Sequence, residues 1–176
     1  NRLWQEAGFP PLRMAVNISA RQFQQKKLLF EIDQVLKETG LNPSFLEIEV
    51  TESAAMQDLD LTIAILKQLQ ARGIHTAMDD FGTGHSSLNY LKRFPLNALK
   101  VDGSFIRDLP NSRRDMAIVQ AIVTLAHGLG LRVIAEGVET IEQMQFLQTI
   151  GCDVVQGYFL SKPLTAEATI QFCCKI

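Results

Sequence analysis

Six polar residues recur along the chain, each near the end of a short run of β-branched and aliphatic residues: Asn17, Glu49, Asp79, Lys100, Glu136 and Gln156. The runs are "RMAVNIS" (13–19), "LEIEVTE" (46–52), "HTAMDD" (75–80), "ALKVD" (98–102), "RVIAEG" (132–137) and "DVVQGY" (153–158). Their polar members stand 32, 30, 21, 36 and 20 residues apart, each a plausible strand–helix–strand repeat. In a (β/α)₈ barrel the C-terminal ends of all strands face one site, whereas an open doubly wound sheet gathers only those beside its switch point. The expectation is therefore an α/β protein, a TIM-like (β/α)₈ barrel with six of its eight strands in this chain. A barrel cannot close with a quarter of its staves missing, so the first two strands are expected upstream of Asn1.

The segments between the runs read as helices. Leu28, Leu29, Ile32, Val35 and Leu36 follow an i, i+3, i+4, i+7 pattern that stops at Gly40. A second helix runs from about Asp60 to Gly73, and a third from roughly Ser112 to His127 with Met116, Val119, Ile122, Val123 and Ala126 on one side. "TIEQ" opens a fourth, with Thr140 and Gln143 fitting a capping box, and it stops at Gly151. Alternation along the strands puts Glu47, Glu49 and Thr51 on the barrel side and Ile48 and Val50 toward the helices. Lys100 and Asp102 face the barrel in the same way, with Leu99 and Val101 outward.

At 176 residues, 47% hydrophobic and 20% charged, the chain can bury the core of one domain. A net charge of −2 without basic runs gives no case for binding a nucleic-acid polymer or an anionic membrane. The longest apolar runs are far too short to cross a bilayer. "NRLWQEAGFPP" reads as the tail of a helix already under way, the mark of a chain cut from something longer. Cys152, Cys173 and Cys174 are odd in number and two are adjacent, which suits reduced structural thiols in the cytoplasm. His75, His85 and His127 lack zinc-like spacing and are read as structural.

The converging side chains are oxygen donors almost throughout: Asn17, Glu49, Asp79, Asp80, Glu136 and Gln156. Hard divalent cations take such ligands. The adjacent aspartates of "DDFGTGHSS" cease to repel when cations sit between them, one carboxylate bridging and the other completing a second site. Paired cations about 3.5–4 Å apart suit in-line displacement at phosphorus. Lys100 either offsets the carboxylate charge, orients water or forms a Schiff base, and the surrounding carboxylates disfavour the last by keeping it protonated. Glu52 and Glu139, each three residues beyond a strand-end glutamate, read as groups that fix loops or ligands. "GTGHSS" lacks the Gly-Lys-Ser/Thr of a P-loop.

"VNISARQF", "LEIEVTES", "DDFGTGHSSLNYL", "LKVDGSFI", "VIAEGVET" and "QGYFLSKPL" resemble, in order and spacing, the EAL-domain phosphodiesterases of bacterial cyclic di-GMP signalling. The resemblance covers nearly all 176 residues. It implies a modified (β/α)₈ barrel of the EAL type, of which residues 1–176 are the C-terminal three-quarters. The implied reaction is hydrolysis of cyclic di-GMP to linear 5′-pGpG with two Mg²⁺ or Mn²⁺ ions per site, Ca²⁺ being inhibitory. By motif, Asn17, Glu49 and Asp79 resemble ligands of the first metal, with Asp79 bridging to a second completed by Asp80 and Glu136. Lys100 resembles the residue that holds the attacking water, and Gln156 a metal- or water-contacting group. Glu52 is similar to the glutamate that orders the loop after Asp80, a loop associated with dimerisation. The catalytic set is thus Lys100, Glu136 and Glu52, with Gln156, Asp102 and Glu139 contacting substrate or supporting the ligands. A homodimer is expected, with sensory or GGDEF-type domains ahead of this one and membrane anchoring only through such upstream segments. The Glu-Ala-Leu motif, whose glutamate is a first-metal ligand in the family, occurs nowhere in the chain, and His85 replaces a usual aromatic residue. Two other readings are a catalytically inactive cyclic di-GMP receptor and an enolase-like barrel; the latter does not explain the double-aspartate loop. Residues 1–176 alone are expected to be inactive and to self-associate through open sheet edges.

Overall fold

The structure, a computed structural model, describes residues 1–84 and 88–173. His85 and Cys174 lie outside the described residues. Six strands, β1 (Met14–Ile18), β2 (Leu46–Thr51), β3 (His75–Phe81), β4 (Ala98–Val101), β5 (Arg132–Ala135) and β6 (Val154–Val155), form one sheet in chain order. Every neighbouring pair is parallel. The helices are α1 (Arg2–Glu6), α2 (Ala20–Phe23), α3 (Leu28–Thr39), α4 (Glu52–Ala55), α5 (Leu59–Ala71), α6 (Leu88–Leu91), α7 (Gly103–Ile106), α8 (Arg113–Gly128), α9 (Ile141–Thr149) and α10 (Ala166–Cys173). Chain order equal to sheet order is what successive βα units of one hand produce. The result is an α/β half-barrel whose outer strands, β1 and β6, each pair on one side only among the described residues.

The two faces of the sheet differ as strand alternation requires. Val50, Met78, Leu99, Val101 and Val133 enter the main apolar core, where Leu66, Leu69, Val119 and Leu147 of the helices meet them. The concave face holds the small buried cluster Ala77, Ala98 and Ile134 beside the polar side chains of Glu47, Glu49, Asp79 and Lys100. At its N-terminal end the buried Glu47 pairs with Arg132 at 3.3 Å and Arg13 at 3.8 Å.

The helices follow their start and stop signals. Asp58 and Ser112 accept hydrogen bonds from Leu61 N and Asp115 N at the starts of α5 and α8, and Thr140 and Gln143 form the expected capping box on α9. Gly40 ends α3 with φ +64°, a conformation a side chain would resist. Val119, Ile122, Val123 and Ala126 of α8 are buried, but Val35 of α3 is 56% exposed and does not reach the core.

Five strands stop earlier than expected, β1 and β2 by one residue each, where Ser19 and Thr51 turn to cap α2 and α4. β4 ends at Val101 because Asp102 turns to cap α7, accepting from Ser104 N at 3.0 Å. β5 ends at Ala135, before Gly137 at φ +71°, leaving Glu136 just past the ladder with its N–H still on Val101 O at 3.1 Å. β6 keeps two residues of the six expected, because the chain leaves the ladder to wrap Val138. Val138 N donates to Gln156 O, Phe159 N donates to Val138 O, and a Cβ on Gly157 would collide with the Val138 backbone.

Candidate active site

Glu49, Asp79, Lys100 and Glu136 come from four successive strands or their ends, and parallel pairing brings them together. Lys100 Nζ lies 2.8 Å from Glu49 Oε2, 3.1 Å from Asp79 Oδ1 and 2.8 Å from Glu136 Oε1. Lys100, Glu49 and Asp79 are all buried, while Glu136 is half-buried and faces the opening. Asp80 stands beside them in a conformation unusual for its type, φ +54°, the one non-glycine residue with positive φ among those described. The register between β3 and β4 shifts between Met78 and Phe81 at the same point. Such a bulge turns the side chain that regular alternation would send to the helical face back toward the site. Its N–H donates to Asp79 Oδ1 at 3.0 Å, so one aspartate carboxylate orients the other residue's backbone.

The electrostatics follow from three carboxylates sharing one ammonium. Burial raises the Glu49 carboxyl above the usual carboxylate range, against the opposing hydrogen bond and charge of Lys100. Burial raises Glu136 in the same way, with Asp79 and Glu49 adding to the effect. Asp80 is raised by burial and by Asp79 and Asp102. Burial pulls Lys100 downward, but hydrogen bonds to Glu136 and Glu49 outweigh it, and the ammonium stays protonated. Excess negative charge on oxygen donors is the condition for taking up a hard divalent cation. One carboxylate oxygen each of Asp79, Asp80 and Glu136 lies within 4.8 Å of the others, so these three residues could hold a metal ion. Glu49 stays outside that trio but shares Lys100 with it.

The remaining expected residues fall at different distances from this centre. Asn17 is exposed on β1, directly opposite Glu49 in the register. Glu52 is 1% exposed, with Oε2 accepting from Gly82 N at 3.1 Å and Oε1 without a partner among the described residues. A Cβ on Gly84 would stand 2.9 Å from that Oε1, so the loop after Asp80 is drawn tightly over Glu52. Asp102 is engaged at the start of α7. Glu139 and Gln156 are exposed, and neither side chain makes a hydrogen bond among the described residues, so the structure does not bring them onto the cluster. His127 pairs with Asp153 at 2.9 Å, away from the site, and Asp153 also accepts from Val133 N.

Sequence reasoning missed how the loops are braced. Gln143 was legible as a helix cap, but its amide also reaches Arg107 O at 3.1 Å across to the loop after β4.

A family model for the EAL domain matches residues 2–163. The Pseudomonas aeruginosa cyclic di-GMP phosphodiesterase NbdA is 50% identical over 166 residues, 94% of this chain and 21% of the relative. The bifunctional diguanylate cyclase/cyclic di-GMP phosphodiesterase MucR of the same organism is 48% identical over 94% of this chain and 24% of its own. The chain thus spans about a fifth to a quarter of these relatives. Among solved structures, the P. aeruginosa MucR phosphodiesterase in complex with c-di-GMP superposes with a TM-score of 0.92 at 47% identity, over 96% of this chain and 68% of that one. The Klebsiella pneumoniae BlrP1 manganese/cy-diGMP complex superposes with a TM-score of 0.83 at 34% identity, over 92% of this chain and 42% of that one.

Proposed function

Because the chain belongs to the EAL domain family, we propose that it forms most of a two-metal active site that hydrolyses cyclic di-GMP to linear 5′-pGpG. The observation that carries this reading is the Asp79–Asp80–Glu136 trio, with oxygens within 4.8 Å, set against the buried Lys100.

The donor set is all oxygen and net negative, which fits Mg²⁺ or Mn²⁺. Asn17, Glu49 and Asp79 would hold one ion, and Asp79, Asp80 and Glu136 the second. Such ions supply Lewis-acid polarisation of a phosphoryl oxygen and make water a competent nucleophile near neutral pH. The chain's own residues do the positioning. Lys100 holds Glu49, Asp79 and Glu136 in one arrangement, its three N–H donors matched by three carboxylates, and cations drawing on those carboxylates would free one donor for water. Glu136, half-buried with a raised affinity for protons, is suited to accept a proton from that water. Glu52, through Gly82 N, keeps the loop after Asp80 closed down. Gln156, Asp102 and Glu139 are the residues proposed to contact the dinucleotide or to support the ligands.

Residues 1–176 would be the C-terminal three-quarters of the domain. Met14 and Val16 on the outer strand are 37% and 42% exposed on the helix-facing side, a surface that further βα units of the barrel would cover. A Glu-Ala-Leu glutamate on one of them would complete the first metal site. An apolar groove of about 630 Å³, lined by Phe81, Leu88, Phe105, Ile118, Ile122 and Leu125, adjoins the loop after Asp80. A homodimer formed across it would couple dimerisation to that loop. Sensory or GGDEF-type domains elsewhere in the protein agree with the relatives' greater length and with the bifunctional name of MucR. No helix among the described residues is long and apolar enough to cross a membrane. The cytoplasmic location proposed for the domain rests instead on the free thiols of Cys152 and Cys173.

The test incubates the full-length protein with cyclic di-GMP and Mn²⁺, Ca²⁺ or EDTA and separates the products. The expected result is 5′-pGpG with Mn²⁺ and little with the other two. Robust turnover in EDTA overturns the reading, and tight binding without turnover in Mn²⁺ would instead identify a receptor.

A further inference from the structure

We propose that Gln143 is a positioning residue of the metal centre, its amide clamping the loop after β4 to the loop after β5 and so fixing Lys100 against Glu136. The inference rests on the function proposed above. Gln143 is 4% exposed, and its side-chain hydrogen bonds all go to backbone groups. Its Oε1 accepts from Glu139 N at 2.7 Å and Thr140 N at 3.1 Å. Those bonds belong to the start of α9 and need no second loop. The third is different: Nε2 donates to Arg107 O at 3.1 Å, across 36 residues of sequence.

Both ends of that bond lie a short way from the charged centre. Arg107 directly follows α7, which Asp102 caps two residues beyond Lys100. Glu139 and Thr140 follow Glu136 by three and four residues. Between the two loops the backbones touch, since a Cβ on Gly137 would lie 3.3 Å from Gly103 Cα. On its other side, Val138 is held by the backbone of Gln156 and Phe159. Glu136 therefore leaves β5 on a segment clamped from both sides, and the Gln143 amide supplies the side toward Lys100. Helix capping alone would be served equally by glutamate, which accepts as well as glutamine does. Only the amide can also donate to a carbonyl. A glutamine at this position is therefore what the brace needs and the cap does not.

The experiment compares Gln143→Glu with Thr140→Ala in the full-length protein. Thr140→Ala removes a cap bond and leaves the brace; Gln143→Glu keeps the cap and removes the brace. Mn²⁺ binding is read without substrate from the free-ion electron paramagnetic resonance signal, and kcat is read at saturating Mn²⁺. Outer residues that orient ligands typically account for a factor of about 10–100 in metal affinity or activity. Gln143→Glu should weaken Mn²⁺ binding and lower kcat by roughly tenfold or more on that scale. Thr140→Ala should lower the melting temperature with Mn²⁺ binding unchanged. Unchanged Mn²⁺ binding in Gln143→Glu, or equal weakening in Thr140→Ala, overturns the proposal. If Gln143→Glu does not fold, Gln143→Met, uncharged and of similar length, removes cap and brace together, and Mn²⁺ binding no weaker than in Thr140→Ala then overturns the proposal. A wild-type protein that binds Mn²⁺ and does not hydrolyse cyclic di-GMP refutes the functional reading, and the metal-binding comparison still decides the brace.

Discussion

Replacing Lys100 by methionine tests the charge balance of the site. The side chain is 4% exposed and its ammonium meets three carboxylates at 2.8, 3.1 and 2.8 Å. Methionine fills similar volume and removes the charge, leaving Glu49, Asp79 and Glu136 facing one another. Breaking a buried ion pair by deleting one partner costs about 3–5 kcal/mol, because the other charge stays buried. At about 2–4 °C per kcal/mol for a domain of this size, that is a fall of about 6–20 °C in the metal-free melting temperature. The loss must also depend on pH. Glu49 and Glu136 already hold protons more tightly than ordinary carboxylates, and loss of the ammonium raises them further. A carboxylate whose folded-state pKa lies above its unfolded value destabilises the fold when ionised, and the penalty is relieved as pH falls through the folded value. The gap between wild type and Lys100→Met should therefore be wide at pH 8 and narrower at pH 5. Differential scanning fluorimetry of both proteins in EDTA at the two pH values measures it. A gap below about 2 °C at pH 8, less than a kcal/mol on the same scale, would refute the charge-sharing argument. So would one that fails to narrow at pH 5.

Asp79→Asn should abolish turnover while Gln156→Ala only reduces it, since Asp79 is buried at the centre and Gln156 lies exposed at the rim; equal losses in kcat would show the roles are misassigned. Gly157→Ala should lower soluble yield and melting temperature sharply, because its Cβ would overlap the Val138 backbone; a melting temperature equal to wild type would contradict the packing. Mn²⁺ affinity should fall on acidification at a pH above the ordinary carboxylate range, because Glu49, Asp80 and Glu136 take up protons early and ligands must shed them. Calorimetric titrations between pH 5 and 8 check this, and a flat profile would count against it.

The positions of the strands and most of the site were legible because each strand pattern is local. β-branched runs and period-two alternation identified the strands, and the recurrence of Asn17, Glu49, Asp79, Lys100, Glu136 and Gln156 located their shared end. What escaped was non-local. Nothing in "DDFG" announces that Asp80 takes φ +54° at a bulge, since that shift depends on pairing with β4. The shortness of β6 follows from the wrap of Gly157 around Val138, a contact between residues nineteen apart in sequence. Glu47 alternates like Glu49, yet it is held by Arg13 and Arg132 at the opposite end of the sheet, and only the register separates the two. Val35 matched a helical stripe whose Leu28, Leu29, Ile32 and Leu36 do pack on the core, yet it is itself exposed, a difference that spacing alone does not show.

The proposed pair of cations sharing Asp79 is tested most directly by titrating the metal-free full-length protein with Mn²⁺ while following bound ion and 5′-pGpG together. Turnover should rise with the second bound ion per site and be absent at every ratio in Asp79→Asn. Full turnover with one ion per site, or undiminished turnover in Asp79→Asn, would contradict it.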